Sequence, residues 1–344
     1  MCDIPMKCYV VDGSEHSLQE RPRPVPADGE CLIRVLIAAV CNTDIEIMKG
    51  YMGFAGIVGH EFVGVVESAP EGCDLLGKRV VGDINLCCHS ATCGTCVLGG
   101  DRARNHCPVR TVLGILNKDG TYAEYLTMPT VNLHVVPDSV STENAAFMEP
   151  LAAACRIIEQ GLVAAKDTVA VVGDGKLGLL IAEVLGRHAV ERGGPQVVLV
   201  GRHMDKMTLV SSAAKIRPAL SDEAKSGGVE FVQAATFDVV VEATGSPAGL
   251  ELSRQLCRPM GTLVLKSTCA AGTNFHTAPF VVDELRTIGS RCGPFPPAMA
   301  LLTAGLDLTP LITATYPLEQ ASEAVSRAQQ KGCIKVQIRV SSDP

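Results

Sequence analysis

The chain has 344 residues, 47% of them apolar, and a formal net charge of −7. This length exceeds what one hydrophobic core serves, so we expect two domains. The acidic balance argues against a nucleic-acid partner, because phosphate binding requires a basic surface, and no apolar run is long enough to span a bilayer.

Fifteen cysteines raise the question of disulfide bonds. The amino terminus, MCDIPMKCYVVDG, has neither the basic start nor the apolar run of a signal peptide. Reduced thiols or metal ligands are therefore the better interpretation of the cysteines. We expect a cytoplasmic protein with no nucleic-acid partner and no membrane partner.

The residues up to about 149 predict a mostly β, barrel-like domain. Short apolar runs broken by Gly and Pro are typical of strands in such a domain. The clearest predicted strands cover 30–40, 62–68 and 77–83.

After Pro150 the pattern changes to alternating strands and helices, which predicts a doubly wound parallel sheet. LAAACRIIEQGL begins this part as a predicted helix. The predicted elements that follow cover 167–173, 176–190, 196–201, 237–245, 261–267 and 287–293. The tail at 317–340 predicts one helix and one strand, which we expect to return to the first domain.

TVAVVGDGKLG predicts a dinucleotide site at Gly173, Gly175, Lys176, Leu177 and Gly178. The G-x-G-x-x-G spacing alone is weak, but here it follows an apolar strand and opens an amphipathic helix. The first glycine permits a tight turn, the second lets pyrophosphate approach the backbone, and the third lets helix and strand pack closely. A glycine-rich turn without a ligand is the less favoured alternative.

The end of the next strand, QVVLVGRHMDK, favours NADP over NAD. NAD sites place an acidic residue there to accept hydrogen bonds from the ribose. Gly201 adds no negative charge, and Arg202 is suited to a phosphate monoester, with His203 close by. The alternatives are that Asp205 binds the ribose or that Arg202 is an ordinary surface residue.

Cys41 and His60 are too far apart in sequence for a local metal site, so the fold must bring them together. Alone, each is more often a buried thiol or a structural histidine. However, CNTD adds the Thr43 hydroxyl and the Asp44 carboxylate, GHE adds Glu61, and FMEP places Glu149 at the domain junction, where we expect a cleft.

The residues together resemble the zinc-dependent medium-chain dehydrogenases, the alcohol and polyol dehydrogenase group. The resemblance runs over essentially the whole chain and rests on CNTD, GHEFVGVV, GKRVVGD, CGTC…C, GTYAEYL, EPLAAA, VVGDGKLGLL and VVEATGS. It implies a GroES-like β-barrel catalytic domain at 1–149 and 293–344 and a Rossmann domain at 150–292.

The resemblance also implies roles for individual residues. Cys41, His60 and Glu149 would bind a catalytic zinc, with Glu61 as a nearby or exchangeable ligand. Thr43 would relay the proton, and Asp44 would brace His60. In the cofactor site, Thr244 and Gly245 would border the dinucleotide, and Lys335 would reach its pyrophosphate.

CCHSATCGTCVLGGDRARNHC matches the structural-zinc lobe of this family only in part. Cys93, Cys96 and Cys107 fit three of the four ligand places, but Gly99 stands at the other, and three ligands do not close a structural tetrahedron. The candidates for a fourth ligand are Cys87, Cys88, His89, Asp101 and His106. The alternatives are a lobe that has lost its metal and, more weakly, a Cys-x-x-Cys redox pair.

We therefore predict a zinc enzyme that transfers a hydride between NADP(H) and a small alcohol, a polyol or the carbonyl product. Three protein ligands leave a zinc position open for substrate. The alternatives are a zinc-free quinone or enone reductase and a non-catalytic, thiol-rich redox sensor. From similar enzymes we expect a homodimer or homotetramer; the sequence does not identify the substrate or the direction of the reaction.

Overall fold

The computed structural model describes residues 4–13, 15–50, 53–99, 105–226, 232–268, 272 and 276–342. Their contacts divide the chain into two units, each with its own sheet structure. Unit 1 comprises Met1–Glu149 with Phe295–Pro344, and unit 2 comprises Pro150–Pro294.

The described elements of unit 1 are mostly strands, and those of unit 2 alternate between strands and helices, as the sequence predicts. The described strands are β1 (Pro5–Asp12), β2 (Glu15–Pro22), β3 (Glu30–Ala39), β4 (Gly56–Ile57), β5 (Glu61–Ser68), β6 (Arg79–Gly82), β7 (Asn85–Leu86), β8 (Thr111–Val112), β9 (Tyr125–Pro129), β10 (Leu133–Val135), β11 (Val169–Val172), β12 (Val198–Gly201), β13 (Arg217–Leu220), β14 (Phe237–Glu242), β15 (Cys257–Leu265), β16 (Arg286–Gly289), β17 (Ile312–Pro317) and β18 (Lys335–Arg339). The described α-helices are Asn42–Met48, Thr142–Ala145, Met148–Glu159, Lys176–Glu191, Met204–Met207, Ser221–Ser226, Pro247–Leu256, Ala278–Val282, Phe295–Thr303 and Ala321–Ala328. Within these ranges, no helix has the length and apolar character needed to cross a membrane.

Unit 1 is built around β3, whose run of aliphatic residues is buried along nearly its whole length. The main sheet has the order β10-β6-β5-β3-β18-β17, and β9 also pairs with β3. A three-stranded sheet, β2-β1-β4, and the pair β7-β8 complete the unit. The antiparallel pairing of β18 with β3 confirms that the tail returns to the first part of the chain.

Unit 2 is a parallel sheet with the order β13-β12-β11-β14-β15-β16. The chain runs outward from β11 in one direction and then resumes on its other side at β14, which is the doubly wound topology. Ligands of such sheets bind beyond the carboxyl ends of the strands, where the direction reverses. The predicted fold class is therefore confirmed, and it places the glycine motif after β11 at the reversal point.

Candidate active site

The pairing of three strands in unit 1 assembles the first cluster of candidate ligands. In the antiparallel register, Ala39 at the end of β3 lies opposite Glu61 at the start of β5. On the other side of β3, the Val40 N–H donates to the Val336 carbonyl at 2.9 Å. Residues distant in sequence, Cys41, Glu61 and Lys335, thus meet at one end of the sheet.

Cys41, His60 and Glu61 each present a ligand atom, and these three atoms all lie within 4.8 Å of one another. His60 and Glu61 are buried, while Cys41 is partly exposed. A thiolate, an imidazole and a carboxylate are donors that zinc accepts, and three protein ligands leave one position open to substrate. These residues therefore fit a catalytic zinc ion.

Asp44 fixes the orientation of His60. Its Oδ1 lies 3.0 Å from His60 Nδ1, and its Oδ2 accepts hydrogen bonds from the Cys41 N–H at 2.8 Å and from the Tyr122 hydroxyl at 3.1 Å. A carboxylate at Nδ1 favours the tautomer with its proton there, which leaves Nε2 to bind a metal. The expected bracing role of Asp44 agrees with this geometry.

The buried charges around His60 shift two pKa values. Burial opposes the imidazolium, but the Asp44 carboxylate and the Cys41 thiolate outweigh burial and raise the pKa of His60 well above its ordinary value. Burial likewise disfavours ionised Asp44, but the charge of His60 and the hydrogen bonds from His60, Cys41 and Tyr122 lower the pKa of this carboxyl. A metal ion must displace a proton from His60 in order to bind, as metal binding by histidine generally requires.

Tyr122 is a site residue to which the sequence analysis assigned no role. Its side chain is fully buried, and its ring lies against Gly59, where a Cβ would come within 2.4 Å of the ring. Gly59 also has a φ of +95°, so both space and backbone conformation favour glycine next to His60. The motif GTYAEYL contained this residue, but only the tertiary structure shows its contact with Asp44.

We expect the Tyr122→Phe variant to bind metal at Cys41 about tenfold more weakly, because the carboxylate that holds His60 loses one of its donors. Loss of this buried hydrogen bond to a charged group also lowers the free energy of unfolding of unit 1 by about 1–3 kcal/mol. Titration with Co²⁺, followed by absorbance, measures the first effect, and thermal unfolding measures the second. Tyr125→Phe is the matched control, because the Tyr125 ring packs against Arg23 rather than at Asp44. Wild-type Co²⁺ affinity in Tyr122→Phe would contradict the assigned role.

Lys335 lies within this cluster, and the pyrophosphate contact that the resemblance implied stays a prediction. Its Nζ is 2.5 Å from Glu61 Oε2, and both side chains are buried. The cause is the register of β18, which places Lys335 beside Cys41. Burial alone lowers the pKa of Lys335, but Glu61 and Cys41 outweigh it and raise the pKa.

Glu149 is near this cluster but is not one of its three close members. It lies in the first turn of the helix Met148–Glu159 and is partly buried. Burial raises the pKa of Glu149; His60 acts in the opposite direction, while Glu61 and Asp83 raise the pKa further. The structure thus brings Glu61, rather than Glu149, into the closest set with Cys41 and His60, because Glu61 is opposite the end of β3.

Thr43 is the remaining predicted residue of this cluster. Its hydroxyl lies 3.8 Å from Cys41 Sγ, in the helix Asn42–Met48. It is partly exposed, so its hydroxyl can exchange a proton with a group on the outside of the cluster. The proton relay that the resemblance implies stays a prediction.

A second cluster joins four cysteines, Cys88, Cys93, Cys96 and Cys107, whose sulfurs all lie within 4.8 Å of one another. The distance between Sγ atoms is 3.6 Å for Cys88 and Cys107, 3.7 Å for Cys88 and Cys96, and 4.0 Å for Cys93 and Cys107. A tetrahedral zinc ion with Zn–S bonds of about 2.3 Å places its sulfurs roughly 3.8 Å apart. The four sulfurs therefore fit a closed structural zinc site.

Backbone N–H groups support the thiolate form of two of these cysteines. N–H groups of Cys96 and Thr95 lower the pKa of Cys93. N–H groups of Cys88 and, to a lesser extent, Val109 lower the pKa of Cys107 to about 7, although burial opposes this. Burial and the neighbouring cysteines raise the pKa of Cys96. The Ser90 N–H opposes, but burial and Cys107 raise the pKa of Cys88. Thiolates are the species that bind metal, so the loop itself favours the ligand form of Cys93 and Cys107.

Cys88 is thus the fourth member that the sequence left open among five candidates. Cys87 is not a member of the cluster, and its sulfur lies 3.4 Å from His89 Nε2. His89 and His106 are not in the cluster, and Asp101 lies outside the described residues. Gly99 occupies the position of the third cysteine in the family. It ends the short turn Cys96–Leu98 with a φ of +68°.

The glycine motif of unit 2 has the geometry of a dinucleotide loop. Gly173 has a φ of +126°, and a Cβ there would lie 2.7 Å from the Ala243 carbonyl oxygen. A Cβ on Gly178 would lie 2.0 Å from the Gly173 carbonyl oxygen, whereas a Cβ on Gly175 would meet open space. Close packing at two glycines and free approach at the third agree with the three roles that we expect.

Gly175 precedes the helix Lys176–Glu191, of which Lys176 and Leu177 are the first residues. The free N–H groups and the positive dipole end of a helix of 16 residues suit a pyrophosphate at this point. The predicted cofactor residues of the motif thus lie together at the carboxyl end of β11.

Thr244 and Gly245 lie just beyond β14 and are held by Glu242, a residue that the sequence analysis did not single out. Glu242 Oε1 accepts hydrogen bonds from the Thr244 N–H and hydroxyl, both at 2.6 Å, and from the Gly245 N–H at 3.2 Å. Its Oε2 accepts a hydrogen bond from the Ser267 hydroxyl at 2.5 Å. One buried carboxylate thereby ties together the loops after β14 and β15 beside the glycine motif.

At the end of β12, Gly201 is buried, Arg202 is exposed and His203 is partly exposed. Asp205 is also exposed, in the helix Met204–Met207. The backbone N–H groups of Arg202 and His203 both donate to the Asp174 carboxylate. Asp174 lies inside the glycine motif and had no role in the sequence analysis.

Comparison with known proteins places this geometry in a family. Residues 27–138 match the alcohol dehydrogenase GroES-like domain. An L-threonine 3-dehydrogenase of Streptomyces coelicolor is 30% identical over 335 residues, which are 90% of this chain and 92% of that protein. Among solved structures, a zinc-binding dehydrogenase of Sinorhizobium meliloti bound to NADP has a TM-score of 0.86 at 26% identity, covering 98% of this chain and 100% of that one. An alcohol dehydrogenase of Escherichia coli CFT073 complexed with NADH has a TM-score of 0.85 at 26% identity, covering 98% of this chain and 99% of that one.

The fold and the site define a nicotinamide-dependent oxidoreductase with a GroES-like unit and a doubly wound unit. The chain belongs to the zinc-type medium-chain dehydrogenase/reductase family, the group of alcohol and polyol dehydrogenases, as its sequence predicts. It is an enzyme of the dehydrogenase type.

Proposed function

We propose that this enzyme uses zinc and NADP(H) to interconvert an alcohol or polyol and its carbonyl product. The observation that carries the proposal is the cluster of Cys41, His60 and Glu61, in which the Asp44 carboxylate contacts Nδ1 of His60. Residues 1–149 with 293–344 would form the catalytic domain, and residues 150–292 would bind the cofactor.

The chemical roles follow from the donor set. A zinc ion held by this cluster would act as a Lewis acid and lower the pKa of an alcohol hydroxyl. Asp44 keeps His60 in the tautomer that binds metal, and the Thr43 hydroxyl takes the substrate proton and passes it outward. Lys335 neutralises Glu61, which limits the negative charge that Cys41 and Glu61 present together.

Glu149 supplies the third protein ligand of the proposed site, as the resemblance implies. Its raised pKa reflects burial and the nearby Glu61 and Asp83 carboxylates, which outweigh the effect of His60. A divalent cation would relieve this repulsion between carboxylates. We therefore propose Cys41, His60 and Glu149 as ligands, with Glu61 exchanging between the metal and Lys335.

The four-cysteine cluster supports a second, structural zinc ion. Four thiolates close the tetrahedron and leave no position for substrate, whereas the Cys41 cluster leaves one open. The presence of both donor sets disfavours a zinc-free quinone or enone reductase. A redox sensor that uses the cysteines as thiols would instead leave the four sulfurs without metal.

The preference for NADP rests on Gly201 and Arg202. Gly201 brings no carboxylate to the ribose, and the exposed guanidinium of Arg202 can bind a 2′-phosphate in bidentate fashion. Relatives of similar fold have been solved with either cofactor, so the residues at the end of β12 have to decide the preference.

A panel of alcohols and polyols, assayed with NADP and with NAD on protein of measured zinc content, tests the proposal. We expect about two zinc ions per chain and hydride transfer that is faster with NADP. A chain that stays free of zinc after careful metallation, or that reduces neither cofactor with any alcohol, would refute it. Reduction of quinones or enones by metal-free protein would support the zinc-free alternative instead.

A further inference from the structure

The carboxylate of Asp174 occupies the end of β12, where the adenosine ribose of a dinucleotide is recognised in this topology. Its Oδ2 accepts hydrogen bonds from the Arg202 N–H at 2.8 Å and from the His203 N–H at 2.6 Å, and it lies 2.9 Å from His203 Nδ1. Asp174 is only 7% exposed, so these contacts hold it firmly in place.

The side chain of Asp174 occupies the space that a side chain at position 201 would need. A Cβ on Gly201 would lie 2.6 Å from Asp174 Cβ and 2.8 Å from Asp174 Cγ. Position 201 is the end of the second strand, where NAD enzymes place the acidic side chain that binds the ribose hydroxyls. A carboxylate therefore lies beside position 201, but it comes from the glycine motif, twenty-seven residues earlier in the chain, and it accepts the N–H groups of Arg202 and His203.

The Asp174 carboxylate is also the anion bound by two successive backbone N–H groups, those of Arg202 and His203. Such pairs form anion-binding concavities. Burial raises the pKa of Asp174, but the hydrogen bonds from His203 and Arg202 outweigh burial and lower it, so the carboxyl is ionised at neutral pH. A 2′-phosphate that approaches Arg202 meets a fixed negative charge beside it, and the N–H groups of Arg202 and His203 are already engaged.

We propose that Asp174 is a specificity-determining residue that weakens the binding of 2′-phosphorylated nicotinamide dinucleotides relative to the unphosphorylated ones. The inference rests on the proposed function, since it concerns the cofactor site of that function. Arg202 attracts the 2′-phosphate and Asp174 repels it, so the preference for NADP is the difference between these two effects. Removal of the charge at Asp174 shifts that difference toward NADP.

The Asp174→Asn variant tests the inference, because asparagine has the same shape and keeps an oxygen that accepts the Arg202 and His203 N–H groups. The dissociation constants of NADPH and NADH are measured by nucleotide fluorescence in the full-length protein. We expect the ratio of the NADH constant to the NADPH constant to rise about tenfold or more, since adjacent like charges strongly disfavour binding. The NADH constant itself should change little. Competition by 2′,5′-ADP and by AMP, which differ in the 2′-phosphate, should show the same shift.

Asp205→Asn is the matched control, because it removes the same charge from an exposed residue three positions after Arg202. We expect it to leave the ratio near the wild-type value. A shift in Asp205→Asn without one in Asp174→Asn would overturn the inference and assign discrimination to Asp205. An unchanged or lower ratio in Asp174→Asn would overturn it outright.

The same measurements distinguish a variant that does not fold, a failure of the proposed function and a failure of the role of Asp174. If Asp174→Asn does not fold, as judged by circular dichroism, Asp174→Ser is measured in its place, because serine also accepts a backbone hydrogen bond and carries no charge. If the wild-type protein binds neither NADH nor NADPH, the proposed function fails and the inference fails with it. Binding of both cofactors with a ratio that the variants do not move refutes the role of Asp174 alone.

Discussion

The Cys41→Ala variant is expected to lose at least roughly 10⁴-fold in kcat/KM for alcohol oxidation. Zinc lowers the pKa of bound water from 15.7 to about 7, and an alcohol should respond similarly. At about 1.4 kcal/mol per pKa unit, this is on the order of 10 kcal/mol toward removal of the hydroxyl proton. Loss of the thiolate leaves only His60 and carboxylates around the ion, so both metal retention and charge stabilisation suffer.

The measurement combines steady-state kinetics, with the alcohol identified by the substrate panel, and zinc analysis of the same sample. We expect Cys41→Ala to lose about one zinc ion per chain while its affinity for NADPH stays at the wild-type value, because the glycine motif lies in unit 2. Cys73→Ala is the control, since Cys73 is also partly exposed and belongs to neither ligand cluster. Wild-type activity in Cys41→Ala would rule out the proposed chemistry.

The Cys88→Ser variant is expected to lose the second zinc ion. Replacement of a direct thiolate ligand should weaken zinc binding at the four-cysteine cluster by more than the 10- to 100-fold that an outer hydrogen-bond partner contributes, so by at least roughly 100-fold. Serine does not replace it, because its hydroxyl is not ionised at neutral pH and oxygen is a harder ligand than sulfur. The zinc content should fall by about one per chain, and the midpoint of thermal unfolding should fall with it.

Cys87→Ser provides a stringent control for this experiment. The two cysteines are adjacent, but only Cys88 belongs to the cluster, and Cys87 lies against His89. Equal zinc content and equal thermal stability in Cys88→Ser, Cys87→Ser and the wild type would favour the alternative in which the lobe keeps its shape without metal. A loss of zinc in Cys87→Ser but not in Cys88→Ser would show that Cys87, rather than Cys88, is the fourth ligand.

The two clusters differ in how much of them the sequence could predict. Cys93 and Cys96 are separated by two residues, and such a pair can bind one metal ion where the backbone turns. Their spacing in the sequence therefore predicts that both are ligands. The fourth ligand depends on which of several nearby side chains the loop directs inward. Cys87 and Cys88 are indistinguishable by spacing, and only the backbone path separates them.

The sequence likewise could not decide which carboxylate lies closest to Cys41 and His60. Glu61 and Glu149 are both plausible ligands from the sequence, and the resemblance favoured Glu149. The antiparallel register of β3 and β5 places Glu61 opposite Ala39, next to Cys41, and β18 brings Lys335 to the same point. Register is set by the pairing of whole strands through their buried faces, so no local pattern around Glu61 or Lys335 could predict this contact.

The glycine loop after β11 could be predicted from the sequence, since a strand, three glycines and a helix are consecutive and their geometry follows from local backbone preferences. The ligand chemistry could be predicted as well, because thiolates, imidazole and carboxylates are properties of residue types. The partners of those groups became visible with the tertiary fold, which brings Tyr122 to Asp44, Lys335 to Glu61 and Cys88 into the four-cysteine cluster. The fold also places the Asp174 side chain against Gly201 at the end of β12. Such contacts join residues far apart in the chain, and they form only when buried strands pair and pack, which depends on the whole fold rather than on neighbouring residues.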